Sequence, residues 1–133
     1  MTDENQKSIL AIDDNATQLK IFEKILSSRY ELALVKTASE ALALLKTRDF
    51  DVILLDVEMP NISGFEFLHE IRKIPQYMGK PVIIITNHTE KELIGHAEKS
   101  SAFGVLIKPV DPEKMIEIVE KAITGPAMNP FNL

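Results

Sequence analysis

Residues 51–60 of the chain read DVILLDVEMP. The four consecutive apolar residues 52–55 predict a strand buried on both faces, which is typical of a parallel sheet covered by helices. The run stops at Asp56, so a carboxylate is predicted where the strand leaves the core. In open α/β sheets, ligands bind in the crevice at the carboxyl ends of the strands. Asp56 is therefore a candidate functional residue, and its chemistry depends on which groups follow the other strands.

The composition is that of an ordinary globular domain. The chain has 133 residues, 45% of them hydrophobic and 26% charged, and no apolar run approaches the ~18 residues of a membrane span. The net charge of −5 disfavours direct binding to nucleic acid. The absence of cysteine excludes disulfides and thiolate metal sites and fits a reducing compartment. We expect a cytoplasmic domain without membrane insertion, since residues 1–6 are polar and do not resemble a signal peptide.

Four further apolar runs predict the remaining strands, at residues 8–12, 32–35, 82–85 and 103–107. Apolar residues at helical spacing follow each strand. A residue suited to capping precedes each predicted helix: Asn15, Thr37, Ser63, Thr89 and Asp111. At three of these helices a glutamate completes a capping box: Glu40, Glu66 and Glu92.

The alternation of five strands with five helical segments predicts the organisation of the whole chain. The class is α/β, a doubly wound (βα)5 fold in which right-handed crossovers place helices on both faces of one parallel sheet. We expect a single domain over residues 7–124. It is flanked by a flexible N-terminus, residues 1–6, and by a tail or the start of a linker, residues 125–133.

Polar groups follow four of the five predicted strands. They are Asp13 with Asp14, then Asp56, Thr86 and Lys108. Three carboxylates in one crevice repel each other unless a cation neutralises them, and ligand sets made only of oxygen favour a hard ion such as Mg²⁺. The sequence therefore predicts a divalent metal site beside a lysine and a hydroxyl.

In these features the chain resembles the receiver domains of two-component response regulators, over about residues 7–124. The matching segments are residues 12–15 (IDDN), residues 55–60 (LDVEMP) with Gly64 four beyond the proline, Thr86, and Lys108-Pro109. The resemblance implies a flavodoxin-like sheet with strand order 2-1-3-4-5 and a cis peptide bond before Pro109. It also implies that Asp56 accepts a phosphoryl group.

The resemblance further implies a set of ligands and roles. Mg²⁺ (or Mn²⁺) is expected to be bound by Asp14, Asp56 and the backbone carbonyl of Glu58, with Asp13 acting through water. Phosphoryl transfer depends mostly on positioning and charge neutralisation. A second positive group is therefore needed, and Lys108 can pair with Asp56 before transfer and with the phosphoryl group afterwards. The Thr86 hydroxyl can donate a hydrogen bond to a phosphoryl oxygen.

The implied partners are a sensor histidine kinase or a histidine phosphotransferase. Phosphorylation would change the surface formed by the fourth helix, fifth strand and fifth helix, and so control a downstream protein or an attached output domain. The chain is then a phosphoacceptor that assists its own phosphorylation and dephosphorylation, and not an enzyme in the usual sense. It departs from the family pattern at Val105, where Tyr or Phe is usual, and at Asn87, where a small residue is common.

Three other functions fit parts of the pattern. A flavodoxin-like electron carrier needs a phosphate-binding loop after the first strand, where this chain has two aspartates and an asparagine. A phosphatase of the haloacid dehalogenase type uses an aspartyl nucleophile with an acid two residues later, a spacing that Glu58 satisfies, but it has a larger fold with a cap. A pseudo-receiver that binds partners without phosphorylation is the main alternative, because Val105 weakens the expected switch.

Overall fold

A five-stranded parallel sheet in the order β2-β1-β3-β4-β5 forms the centre of the molecule. The structure is a computed structural model, and it describes residues 6–58, 63–87 and 101–125. The predicted strand order is confirmed, and the strand ends differ from the predicted ones by one residue at most. The strands are β1 (Ser8–Ile12), β2 (Glu31–Val35), β3 (Val52–Asp56), β4 (Val82–Thr86) and β5 (Gly104–Ile107).

Four α-helices lie in the described part of the chain. They are α1 (Ala16–Leu26), α2 (Ala38–Thr47), α3 (Gly64–Arg72) and the C-terminal helix (Pro112–Thr124), with a short 3₁₀ helix at Pro75–Tyr77. The helix predicted after β4, with its Thr89 cap, lies outside the described residues. So do residues 1–5, 59–62 and most of the predicted tail. Within the described ranges, no helix is both long enough and apolar enough to cross a bilayer.

Side-chain caps begin the helices where the sequence predicts them, with one difference of detail. Asn15 and Asp111 accept hydrogen bonds from backbone N–H groups of the first turn. Thr37 accepts from the Glu40 N–H, as in a capping box. Ser63 instead accepts from the N–H of Phe65, so the capping box predicted with Glu66 is wrong in that contact. An N-cap oxygen can serve either of the second and third N–H groups, and local spacing does not decide between them.

Alternate residues of the central strands enter two separate cores. On one face, Leu10, Ile53 and Ile84 pack with the buried residues of α2 and α3. On the other face, Ala11 and Leu54 pack with α1 and the C-terminal helix. Because successive side chains of a strand point to opposite faces, a continuously apolar strand supplies both cores. The predicted helices on both faces are therefore present.

Strand register aligns the carboxyl ends of the sheet. Ile12 pairs with Leu55, so Asp13 and Asp56 leave neighbouring strands at the same level. Asp56 pairs with Ile85, and Thr86 pairs with Ile107, so the next residues of β4 and β5 emerge together. The parallel register thus gathers the polar residues that follow β1, β3, β4 and β5 at one edge.

Candidate functional site

Three carboxylates meet at the carboxyl ends of β1 and β3. Ligand oxygens of Asp13, Asp14 and Asp56 all lie within 4.8 Å of one another. Asp13 is 0% exposed and Asp56 is 2% exposed, whereas Asp14 faces solvent. The structure therefore brings together the three acids that the sequence analysis placed at this edge, with one of them open to an incoming ligand.

The Asp56 carboxylate has different surroundings at its two oxygens. Oδ1 accepts a hydrogen bond of 2.9 Å from the backbone N–H of Glu58. Oδ2 lies 3.5 Å from Nζ of Lys108. Burial raises the pKa of Asp56 to about 6, and the Asp13 carboxylate adds to the rise, while the Glu58 N–H and Lys108 oppose it. Near neutral pH this carboxylate carries its charge at a free-energy cost that a bound cation would relieve.

Lys108 is almost enclosed, with 9% of its side chain exposed. Its Nζ lies 3.1 Å from Asp13 Oδ2, closer than to Asp56, so the predicted pairing with Asp56 is the longer of two contacts. Burial alone would lower the pKa of Lys108, but the close contact of its ammonium with Asp13 and the negative charges of both carboxylates outweigh burial, and the pKa is raised. The Lys108-Pro109 peptide bond is cis, as expected from the resemblance.

Backbone pairing sets Lys108 beside β4. The Lys108 N–H donates to the Thr86 carbonyl over 2.7 Å, which extends the β4–β5 ladder by one residue beyond the strand ends. The Lys108 ammonium therefore approaches Asp13 and Asp56 from the edge of the sheet formed by β5, and β2 forms the other edge. The ammonium of Lys108 thus lies close to two buried carboxylates.

The Thr86 hydroxyl contacts Glu58. Thr86 is 1% exposed, and its Oγ1 donates to Glu58 Oε1 over 2.8 Å. The same oxygen accepts the Asn87 backbone N–H at 2.9 Å, and Asn87 Nδ2 donates to Glu58 Oε2 at 3.0 Å. The sequence placed the backbone carbonyl of Glu58 in the expected metal site but did not predict these hydrogen bonds of its carboxylate. The one available signal was the unusual amide side chain at Asn87.

Gly64 has a steric reason to lack a side chain. A Cβ at Gly64 would stand 2.3 Å from the Cα of Val57, the residue that follows Asp56. The Gly64 N–H also donates to the Val57 carbonyl at 3.3 Å. The first turn of α3 thus packs directly on the backbone beside Asp56, which glycine alone permits without displacement. This is the physical basis of the Gly64 position noted in the sequence.

The donor set fits a hard divalent cation. Carboxylate oxygens are the ligands that Mg²⁺ prefers, and Asp13, Asp14 and Asp56 supply them within a single cluster. Asp13 Oδ2 is buried and accepts no hydrogen bond of good geometry from the described residues, so its contact there is the ion pair with Lys108. A buried oxygen with spare acceptor capacity suits a site that completes itself with an ion or its water.

Comparison with known proteins gives a consistent result. The family model of the response regulator receiver domain matches residues 9–120. The transcriptional regulatory protein ZraR of Salmonella typhimurium is 33% identical over 116 residues, which are 86% of this chain and 26% of that protein. Stress response regulator protein 1 of Meyerozyma guilliermondii is 38% identical over 92 residues, which are 66% of this chain and 42% of that protein.

Solved structures agree with the family model. The chemotaxis response regulator CheY4 of Vibrio cholerae has a TM-score of 0.83 and 31% identity, over 89% of this chain and 99% of that one. The chain spans about a quarter of the length of ZraR and of the hydrogenase transcriptional regulatory protein HoxA. With the sheet order, the three aspartates and Lys108 in place, these matches show that the chain belongs to the response regulator receiver domain family.

Proposed function

We propose that the chain accepts a phosphoryl group on Asp56 from a phosphohistidine of a sensor histidine kinase or a histidine phosphotransferase. The observation that carries this proposal is the buried Asp56 carboxylate set between Lys108 and two further aspartates. Phosphoryl transfer needs charge neutralisation around the transferred group more than it needs acid–base chemistry. Lys108, together with a divalent ion held by the acid cluster, would supply that neutralisation.

Asp56 Oδ2 is the oxygen that we assign as nucleophile. Its partner Oδ1 is held by the Glu58 N–H, which fixes the plane of the carboxylate, and Oδ2 faces Lys108. A new bond joins Oδ2 to phosphorus while the bond from phosphorus to the imidazole nitrogen breaks, and the released imidazole takes up a proton. The product is an acyl phosphate on Asp56.

The remaining residues bind and orient the phosphoryl group. A divalent ion, Mg²⁺ or Mn²⁺, would be held by Asp14, Asp56 and the Glu58 carbonyl, with Asp13 acting through water, and would neutralise charge on the phosphoryl oxygens. Lys108 moves from its carboxylate partners to a phosphoryl oxygen. Thr86 donates its hydroxyl to another.

The acyl phosphate on Asp56 is removed by hydrolysis. Water attacks phosphorus, the bond between phosphorus and Asp56 breaks, and the carboxylate returns with inorganic phosphate released. The groups that neutralise charge during transfer act again here, so the domain assists both steps. Side chains at Glu58 and His88 flank the site in sequence, and we propose that they set the lifetime of the phosphoryl group. His88 lies outside the described residues.

The wider role follows from the partners. Residues 7–124 would form the receiver, with residues 1–6 and 125–133 as flanking segments. Transfer from a histidine kinase would take place in the cytoplasm. The output is a change in the surface that includes β5 and the C-terminal helix, read by a downstream protein or by an attached output domain.

The test is labelling with a small phosphodonor. Incubation with acetyl phosphate and Mg²⁺ should add one phosphoryl group to the wild type, none to Asp56→Asn, and none after chelation of the metal, as measured by intact mass. Asp51→Asn is the matched control, because it removes an acid from the other end of the same strand region. Equal labelling of Asp56→Asn, or labelling that survives chelation, would contradict the proposal. A folded but unlabelled wild type would favour the pseudo-receiver.

A further inference from the structure

The Glu58 carboxylate accepts hydrogen bonds from Thr86 and Asn87. Its Oε1 accepts two hydrogen bonds, from Thr86 Oγ1 at 2.8 Å and from the Asn87 N–H at 2.9 Å. A third bond, 3.0 Å long, joins Asn87 Nδ2 to Oε2. Hydrogen bonds to an ionised acceptor are about twice as strong as those between neutral groups. Three neutral donors at the end of β4 are therefore directed at one negative charge.

This donor set adjoins the phosphoacceptor. The Glu58 N–H donates to Asp56 Oδ1, while the Glu58 carboxylate accepts from Thr86, the last residue of β4, and from Asn87, which follows it. Asp56 and Thr86 leave adjacent paired strands, since Asp56 pairs with Ile85. One residue thus binds the nucleophile through its backbone and the neighbouring donors through its side chain.

We propose that Glu58 is an internal anion that occupies, before phosphorylation, the donors that a phosphoryl group takes over afterwards. This inference rests on the proposed function, because it requires Asp56 to accept the phosphoryl group. Phosphorylation is then an exchange of anions at Thr86 and Asn87. The Glu58 carboxylate is released from the end of β4 as the phosphoryl oxygen arrives.

The exchange follows from the number of protons available. A threonine hydroxyl carries one donor proton, and a backbone amide carries one. Thr86 Oγ1 and the Asn87 N–H therefore cannot fully serve Glu58 Oε1 and a phosphoryl oxygen at the same time. Charge also disfavours binding of both anions at once, since a carboxylate and a phosphoryl group at one pair of donors repel each other. Occupancy by one anion opposes occupancy by the other.

Competition of this kind makes a measurable prediction about binding. Removing the Glu58 carboxylate leaves its donors available to an incoming anion, so a phosphoryl analogue should bind Glu58→Ala about 10-fold more tightly than wild type. Glu58→Gln keeps an acceptor oxygen without the charge, so its gain should be smaller, about 3-fold. Both changes leave the Glu58 backbone N–H and carbonyl in place.

The experiment is a titration with beryllofluoride in excess Mg²⁺, followed by NMR through the backbone amide of Asn87. Wild type, Glu58→Ala, Glu58→Gln and Thr86→Ala are compared with the double variant Glu58→Ala/Thr86→Ala. Glu66→Ala is the matched control, because it removes an exposed acid from the first turn of α3 and none of these hydrogen bonds. We expect Glu66→Ala to bind like wild type, and the gain of Glu58→Ala to shrink when Thr86 is also replaced.

Each possible result either supports or overturns the inference. Tighter binding by Glu58→Ala that depends on Thr86 supports the exchange. An equal gain in Glu66→Ala, or a gain that persists in full without the Thr86 hydroxyl, would show a general charge effect and overturn it. Binding by wild type that Glu58→Ala does not strengthen would overturn the inference alone. Failure of wild type to bind beryllofluoride would overturn the proposed function together with the inference.

Discussion

Lys108 and Arg72 are two partly buried cations whose surroundings differ. Lys108 lies between two carboxylates, at 3.1 Å from Asp13 and 3.5 Å from Asp56. Arg72 instead donates to neutral oxygens, to the carbonyls of Tyr77 at 2.7 Å and Lys80 at 2.6 Å. One cation sits in an excess of negative charge, and the other sits among backbone dipoles.

Arg72 joins three parts of the chain. Besides its two bonds around the 3₁₀ helix, it donates to Oγ and to the carbonyl of Ser101, at 3.1 and 2.9 Å. Ser101 has a φ of 65°, a left-handed conformation that is uncommon outside glycine. Burial lowers the pKa of Arg72, yet a guanidinium stays protonated in proteins. Its hydrogen bonds therefore hold the end of α3 against the approach to β5.

The two cations differ in role: Arg72 stabilises the fold, whereas Lys108 is part of the candidate site. The hydrogen bonds of Arg72 satisfy backbone carbonyls that would otherwise be poorly paired, which stabilises the fold. The carboxylates around Lys108 remain in excess, and one buried oxygen of Asp13 keeps spare acceptor capacity. Charge that the described residues leave unbalanced favours a site that binds something else.

The largest expected effect is on phosphorylation by Lys108→Met. Loss of the ammonium removes one of two groups that neutralise the transferred phosphoryl group, so the rate of labelling by acetyl phosphate should fall about 10²- to 10³-fold. Arg72→Met is the control, and its rate should stay within about threefold of wild type at a temperature where it is folded. Equal losses in the two variants would remove the distinction between these cations.

The next effect is on stability. Here we expect Arg72→Met to lose more than Lys108→Met, the opposite of their order in phosphorylation. Arg72→Met removes the donor that now serves three backbone carbonyls and a hydroxyl, two of the carbonyls being partly buried, so the free energy of unfolding should fall by about 2–4 kcal/mol. Urea unfolding followed by circular dichroism measures this change. A loss below that of Lys108→Met would show that the Arg72 network contributes little to the fold.

A smaller effect is expected from Asp56→Asn without metal. The folded-state pKa of Asp56 is about 6, above the ordinary value of 3.8, so the folded state binds the proton more tightly than the unfolded chain. Stability from this group is therefore greatest at low pH and is lost as pH rises from about 4 to 6. At pH 7.5, Asp56→Asn should be more stable than wild type by about 1–3 kcal/mol.

The same comparison contains its own control. The advantage of Asp56→Asn should shrink at pH 5, where wild-type Asp56 is largely protonated. Saturating Mg²⁺ should also reduce it, because an ion that binds only the folded wild type stabilises that protein. Urea midpoints at the two pH values, with and without Mg²⁺, measure both trends. An advantage that grows on acidification would show that the Asp56 pKa is not raised.

The smallest effect is expected at an exposed cation. Arg29, in the turn after α1, pairs with Glu120 of the C-terminal helix at 3.0 Å, but the two side chains are 52% and 53% exposed. Solvent screens such pairs, so Arg29→Ala should change the free energy of unfolding by less than about 0.5 kcal/mol. The measurement is the same urea titration. A loss comparable to that of Arg72→Met would mean that burial does not distinguish these cations.

Local sequence predicted the elements that depend on neighbouring residues. The apolar runs gave the five strands, and Asn15, Thr37 and Asp111 cap the helices that follow them. A capping contact spans two or three residues, so the sequence contains nearly all the information that decides it. The Ser63 cap shows the limit of such predictions. Its hydroxyl accepts from the Phe65 N–H, whereas the spacing to Glu66 predicted a capping box.

For residues far apart in the chain, the sequence predicted which groups lie close together but not which atoms pair. The rule that strand ends meet at one edge placed Asp13, Asp56, Thr86 and Lys108 together. It did not give the pairing within that group, where Lys108 lies nearer to Asp13 than to Asp56. Differences of less than 1 Å among flexible side chains depend on packing from several elements at once.

The sequence by itself determined a parallel α/β sheet and the chemical types gathered at its edge, because hydrophobic periodicity and strand ends are local properties. Only the tertiary structure decided that Glu58 bonds Thr86 across 28 positions, and that Arg72 bonds Ser101 across 29. Glu58 and Thr86 lie at the two ends of the β3–α3–β4 crossover, and Arg72 and Ser101 lie before and after β4, so packing of the whole fold is needed to bring each donor and acceptor within about 3 Å. That precision arises from the packed fold, and no spacing in the chain encodes it.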